Sequence, residues 1–360
     1  MSLTKVNNKL IQYSSKKNFI INGDMKIWQR GTSLTGLTGN TGIRYLADRF
    51  FVSANTDAVI TYNKSGTPPV GFTTPLACLF STPDTSVEAG QWILIGYYVE
   101  GYDYNYLKNQ QCVLSFWCWT SIEGTYSVAF KDSASTYSYV APYFAPKQSW
   151  TKVKIPIKFN SPGGTFSTTN GVGLIIYWML ACGTTYQTNT LNQWIIGNVS
   201  APPNIANAAA LTNGGYYLTG VQLEIGNEAT EFEFKTQEEE LRLCQRYYEK
   251  SYQQAAAPGA TNDAPGMMWD YLAVDAASTV AAFGSYQNFR VEKRTTPTIT
   301  FYSPITGTAG KAHLWTTSTD YDVTTFNLNS KGFYWASAHE SLTIHSFGVH
   351  WVATCELGGA

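Results

Sequence analysis

The sequence predicts an all-β protein: a jelly-roll β-sandwich, then a linking α-helix and a smaller C-terminal β domain. Three observations carry this. Of 360 residues, 15% are aromatic and only 14% charged, whereas ordinary soluble domains carry roughly 25% charge; aromatics suit pleated, half-buried strands. Apolar residues recur with period two in many short runs. Gly, Asn, Ser and Pro punctuate those runs, as they do in sandwiches and barrels.

Taken in order, residues 1–17 are polar and Lys-rich and read as an arm or connector to a neighbouring protein. The sandwich is assigned to 18–235. It opens at Asn18-Phe-Ile-Ile-Asn-Gly-Asp, a turn signal between two apolar runs. Tyr126, Val128 and Phe130 alternate with Ser127 and Ala129. Val153, Ile155 and Ile157 alternate with Lys154, Pro156 and Lys158, and Pro156, which cannot donate to a ladder, places that strand at an edge or bulge. Leu174-Ile-Ile-Tyr-Trp-Met-Leu is continuous, hence a fully buried strand or a contact surface. Val221, Leu223 and Ile225 alternate with Gln222 and Glu224.

The linking helix is assigned within 236–255. Thr236 and Glu239 form a capping box. Glu238, Glu239 and Glu240 open the segment and Arg246 and Lys250 close it, which matches the helix dipole. Leu241, Cys244 and Tyr248 share a face at helical spacing, predicting a helix over 237–250. That stripe is a candidate contact between copies of the chain, or else it docks on the sandwich. The turn-forming stretch from Ala255 to Gly266 follows, and 256–360 reads as the second β domain, with strands near 281–291, 297–302, 332–336 and 342–352.

Composition also excludes. A net charge of −1 lacks the basic footprint that nucleic-acid binding requires. No apolar run reaches the length of about 18 residues needed for a membrane helix. The N-terminus lacks the basic-then-apolar plan of a signal peptide, which favours assembly in the cytoplasm. The six cysteines, Cys78, Cys112, Cys118, Cys182, Cys244 and Cys355, form no C-x-x-C pair and read as free thiols.

Several segments resemble a known family. Asn18-Phe-Ile-Ile-Asn-Gly-Asp-Met-Lys-Ile-Trp-Gln-Arg-Gly and Tyr45-Leu-Ala-Asp-Arg-Phe are similar to segments of phage tail and prophage structural proteins. So are Gly220-Val-Gln-Leu-Glu-Ile-Gly, Glu240-Leu-Arg-Leu-Cys-Gln-Arg-Tyr-Tyr and Arg294-Thr-Thr-Pro-Thr-Ile-Thr-Phe. The resemblance is dispersed over 18–352. The first and last sandwich motifs also look like those of carbohydrate-binding modules with a jelly-roll fold. The resemblance implies a homo-oligomeric virion component, a trimer by expectation, held to other virion proteins through the N-terminal arm and contacting a host cell-surface glycan. It further implies a structural calcium joining the first and last strands, for which Asp24 and Glu224 are the matching positions. The alternative is that Asp24 caps a turn and Glu224 faces solvent. No other cofactor is expected.

Chemistry is sparse. The nucleophile-elbow, zinc, Walker and dinucleotide motifs are missing, and the first histidine is His313, so a Ser-His-Asp triad inside the sandwich is impossible. Asp103, Glu224, Asp270, Asp320 and Asp322 could serve glycoside hydrolysis, but no spacing singles out a pair. The expectation is therefore a tail-fibre or receptor-binding component that is not an enzyme. A capsid-decorating or head-fibre protein and a polysaccharide depolymerase are the alternatives. For ligand binding, Tyr102 and Tyr104 would share a strand face as a stacking platform, or equally belong to the core. Trp269, Tyr271, Trp315, Tyr334 and Trp335 rank first, because the distal domain of a fibre meets the host.

Overall fold

The computed structural model describes residues 16–261, 266–272, 281–339 and 345–358; most of the predicted arm lies outside them. The chain forms two compact units. The first contains Ser33–Arg44, Phe50–Thr236 and the chain up to Lys26, and the second contains Ile27–Thr32, Tyr45–Arg49 and the chain from Gln237.

The strands up to residue 225 are β1 (Ser33–Asn40), β2 (Arg44–Tyr45), β3 (Phe50–Lys64), β4 (Leu76–Thr82), β5 (Trp92–Glu100), β6 (Gln111–Thr120), β7 (Gly124–Lys131), β8 (Tyr137–Ala145), β9 (Thr151–Lys158), β10 (Val172–Cys182), β11 (Trp194–Ile196) and β12 (Gly214–Ile225). They follow the order β11-β8-β7-β10-β5-β3-β4-β12-β6-β9. The long strand β3 makes the fold: Phe50–Asn55 pair with β5, while Val59–Lys64 pair with β4. One ladder thus curls into two layers, a jelly-roll-like sandwich.

Aromatic rings fill the space between the layers. Trp178 of β10 is fully buried, with Phe50 of β3 at 6.1 Å and Phe116 of β6 at 5.9 Å. The hydroxyls of Tyr143 and Tyr216 meet at 2.6 Å and satisfy each other inside an apolar core, whereas the Trp178 indole nitrogen has no hydrogen-bond partner among the described residues. The run from Leu174 to Leu180 is a central strand flanked by β5 and β7. Strand β9 ends the order, and Pro156 there points outward, where its missing N–H costs nothing.

Two local expectations are corrected. Tyr102 and Tyr104 lie not on a strand but on a short helix, α1 (Gly101–Leu107), where Tyr104 and Leu107 turn inward three residues apart. The second helix, α2, spans only Gln237–Gln245. Tyr248 instead belongs to strand β13 (Tyr248–Lys250), because that segment pairs with the last strand at Tyr248↔Thr354 and Lys250↔Val352. Ladder pairing outweighs helix propensity, which is a weak prior.

The other strands of the second unit are β14 (Met268–Leu272), β15 (Ala281–Asn288), β16 (Thr298–Tyr302), β17 (Lys311–Leu314), β18 (Thr319–Phe326), β19 (Gly332–His339) and β20 (His345–Thr354). Their order is β13-β20-β17-β18-β19-β15, with β14 and β16 also on β20. Phe347, Val349, Trp351 and Ala353 of β20 alternate into a core with Phe301, Phe333 and Trp335. Segments from early in the chain complete this unit. Gln29 donates to both Asp48 and the Tyr248 carbonyl, and the Tyr45 hydroxyl donates to the Leu357 carbonyl at 2.6 Å.

Candidate functional site

The outward face of β3, β5, β10 and β7 carries a groove. Two cross-strand rows run along this face: Phe51, Gly96, Tyr177 and Ala129, then Ser53, Leu94, Met179 and Ser127, of which Phe51, Tyr177, Ser53, Leu94 and Met179 line the groove. Each is the outward set of a strand whose alternate residues fill the core, a consequence of the period of two. Phe51 and its neighbours form the floor, and Trp92, Tyr177 and Tyr186 stand as half-buried aromatic walls around a cavity of about 190 Å³. Trp92 and Tyr186 meet edge to face at 5.5 Å. Ser53, Ser135, Asn198 and Lys131 supply polar groups to the same space.

Gly96 fixes the floor. Phe51 lies across it, stacked on Tyr98 at 4.5 Å and edge-on to Tyr177 at 6.1 Å. A Cβ at Gly96 would stand 2.2 Å from two Phe51 ring carbons. The ring is wedged between tyrosines and cannot swing clear. Gly96→Ala is therefore expected to cost about 1–3 kcal/mol through overpacking. Urea unfolding tests this; a loss under about 0.5 kcal/mol would mean that the floor relaxes freely.

Among the described residues lining the groove, Lys131 is the one that carries a charge, and it is 2% exposed. Its ammonium donates to Asn198 Oδ1 and sits 5.4 Å from the centroid of the Tyr177 ring. Burial pushes its pKa down to about 8, against the opposing pull of Cys182 and Asp132. Asp132 is spent elsewhere: its oxygens accept from Thr136, Tyr137 and Thr165 at 2.7–2.8 Å. Burial alone would raise the Asp132 carboxyl, but these bonds hold it below the ordinary range.

The sequence-predicted residues fall into different settings. Trp269 and Trp315 come together, their indoles stacked at 5.2 Å and 13°, and 56% and 36% exposed. Gly348 lies opposite both Trp269 and His313 in the ladders and gives the Trp315 indole room, since a Cβ there would stand 2.9 Å from its nitrogen. Trp335 faces inward, fully buried, with its indole N–H on Ser285 Oγ at 3.0 Å, so it offers no stacking face. Its neighbour Tyr334 faces out, between Tyr286 and Phe326 in an exposed cross-strand row. Tyr271 pairs with Ser346 in β14, and its side chain lies outside the described residues. Tyr102 is exposed, whereas Tyr104 is buried against Phe166 at 5.0 Å and cannot receive a ligand.

The contact stripe is likewise used within its own unit. Cys244 is buried, Leu241 partly so, and Tyr248 lies beneath the Arg30 guanidinium at 3.7 Å. The carboxylates proposed for calcium have separate partners. Asp24 pairs with Lys26 at 2.8 Å, and Glu224 accepts from Thr230 and Gln222. Among the described residues no three His, Cys, Asp or Glu side chains gather as a metal site. All six cysteines are buried and free.

The acids considered for hydrolysis are also dispersed by their contacts. Asp103 pairs with Lys16, Asp322 with Lys311 at 2.9 Å, and Asp320 with His313 at 2.8 Å. Ser303 Oγ donates to Asp320 rather than to the imidazole, so this Ser, His and Asp do not form a nucleophile–base chain. The side chain of Asp270 lies outside the described residues.

Sequence reasoning missed the groove. Trp92, Lys131, Tyr177, Tyr186 and Asn198 come from five separate segments. The available signal was that Tyr177 is the one hydroxyl-bearing ring inside an otherwise apolar run, and that Ser127 and Ala129 mark the outward side of β7.

The strand order and cores define the class: an all-β, jelly-roll-like sandwich with an appended β unit. No family model matches the sequence, and no curated protein sequence matches it. Among solved structures it is similar to a family 11 carbohydrate-binding module from Clostridium thermocellum in complex with a β-1,3-1,4-mixed-linked tetrasaccharide, at 13% identity over 55% of this chain and 97% of that one, TM-score 0.29. Discoidin II from Dictyostelium discoideum matches at 11% identity over 81% and 86%, TM-score 0.20. The enzymatically active domain of bacteriophage CBA120 tailspike protein 4 matches at 10% identity over 58% of this chain, TM-score 0.28, and this chain spans 21% of its length.

Proposed function

We propose that this protein recognises a glycan without cleaving it, as a tail-fibre or receptor-binding component of a phage particle, assembled as a homotrimer. The observation that carries recognition is the groove: three half-buried aromatic rings beside Ser53, Ser135 and Asn198. Sugar rings present an apolar face and a rim of hydroxyls, and such a lining answers both. Binding without cleavage is supported by the groove lining, in which no Asp, Glu or His appears among the described residues, whereas a glycosidase uses a pair of carboxylates. The phage assignment draws on the sequence motifs and on the low charge and high aromatic content suited to interfaces.

The test uses the full chain on immobilised surface polysaccharides of candidate hosts. Trp92→Ala is expected to weaken retention at least tenfold, about 1.4 kcal/mol, while leaving the melting temperature near that of the wild type. Unchanged retention would remove the groove from the site. The stacked pair Trp269 and Trp315, the second exposed aromatic surface considered, provides the comparison: if Trp315→Ala abolishes retention and Trp92→Ala does not, recognition belongs to the second unit. Shortened oligosaccharides in the eluate would overturn the reading as a non-enzyme.

A further inference from the structure

We infer that the groove selects an acidic glycan, whose anionic substituent pairs with Lys131. The inference rests on the groove being the glycan site, and it names the ligand class.

The argument begins with an imbalance. An ammonium carries three donors and a full charge, and taking it out of water is costly unless a counter-charge accompanies it. Lys131 is almost fully enclosed, yet among the described residues no carboxylate forms an ion pair with it; its hydrogen-bond acceptor is the neutral amide oxygen of Asn198. The neighbouring acid cannot serve, because Asp132 is saturated by the four bonds described above. Among the described residues, three other buried cations meet carboxylates: Lys293 has Glu249, and Arg30 and Arg49 share Glu356. Buried Lys250 donates to the backbone carbonyls of Gln254 and Ala256 and does not line the groove. Lys131 is the buried cation that lines the aromatic groove.

A core position would tolerate a hydrophobic residue there with less penalty. A ligand carboxylate or sulfate arriving in the groove would instead complete the pair in a poorly solvated place, where the attraction is stronger than at the surface. The walls Trp92, Tyr177 and Tyr186 would stack the sugar ring, and Asn198 would reorient toward its hydroxyls. A neutral sugar gains only the stacking and leaves the ammonium as it was. The preference should therefore be large and salt-dependent.

The experiment measures affinity of the full chain by titration calorimetry. The ligands are polygalacturonate, alginate, hyaluronan, polysialic acid and dextran sulfate, with dextran, mixed-linked glucan and carboxyl-reduced forms of the uronates as neutral counterparts. The expected result is binding to at least one acidic polymer at least tenfold tighter than to its neutral counterpart, weakened by raised salt. Carboxylated and sulfated ligands tell which anion is preferred. Lys131→Met should remove that preference and Lys131→Arg should keep most of it, whereas Trp92→Ala should weaken acidic and neutral ligands alike. Equal affinity for acidic and neutral polymers, or an unaltered preference in a folded Lys131→Met variant, overturns the inference and leaves the groove as a neutral-glycan site. Absence of binding to every polymer overturns the glycan reading itself, and this inference with it.

Discussion

Replacing Glu356 with alanine is expected to lower the unfolding free energy of the second unit by about 3–5 kcal/mol, the usual consequence of stripping the counter-charge from buried cations. The Glu356 side chain is fully enclosed. It accepts from Arg30 at 2.8 Å and also from Arg49, whose side chain is 1% exposed. Each guanidinium also lies over a tyrosine, Arg30 at 3.7 Å from the Tyr248 ring centroid and Arg49 at 3.5 Å from that of Tyr247. Tyrosine faces soften the penalty of burying a cation but do not neutralise it. Without Glu356, Asp48 is the acid still close to Arg30, at 3.5 Å. The pair joins residues more than 300 positions apart, so its loss should also release the early segments Ile27–Thr32 and Tyr45–Arg49. Urea unfolding with hydrogen exchange on both segments checks this. A change below about 1 kcal/mol would show that the network is expendable.

The second large effect has the opposite sign. Lys131→Met is expected to raise stability at pH 7 by about 1–3 kcal/mol, the order that a buried, uncompensated ammonium costs. Its folded pKa, about 8, lies below the ordinary 10.5, so the folded protein disfavours the charged form. The penalty is fully present below about pH 8 and is relieved as pH rises toward the unfolded value. The wild type should therefore gain on the variant between about pH 8 and 10.5, and the gap should close. Burial raises the Cys182 thiol to about 12 and the Tyr177 hydroxyl above its usual value, so their unfolded forms titrate in the same window; both proteins carry these groups, and the difference between them isolates Lys131. Asp132 is ionised throughout. A variant less stable than wild type at pH 7 would mean that the Asn198 bond more than offsets the burial. Stability given up at a binding position is the trade expected of a functional residue.

How much was legible follows from how far apart the determinants lie. The continuous apolar run at Leu174–Leu180 left a buried strand or a contact surface open, and Pro156 an edge or a bulge; the structure makes the first a central strand and the second an edge strand. Local periodicity missed the hairpin Lys311–Leu314 and Thr319–Phe326, because β18 faces mainly solvent and has no apolar alternation to detect. It carried α2 too far, since the apolar spacing of Leu241, Cys244 and Tyr248 fits a helix as well as a helix followed by a buried strand. Among the candidate ligand residues, adjacency in sequence proved uninformative: Tyr334 and Trp335 are neighbours, and the strand turns one outward and the other into the core.

By itself, the sequence determined the all-β class, the lack of a recognised catalytic motif and the dominance of aromatic surfaces over charge. Those properties depend on composition and on neighbours within a few residues, where a period of two is readable. Only the tertiary structure decided that Trp92, Lys131, Tyr177 and Tyr186 share one groove, that Trp269 and Trp315 stack, and that Arg30 and Arg49 meet Glu356. Each depends on strand order and register, set by packing between residues tens to hundreds of positions apart. A slip of one residue in any of these strands would exchange the groove face for the core face.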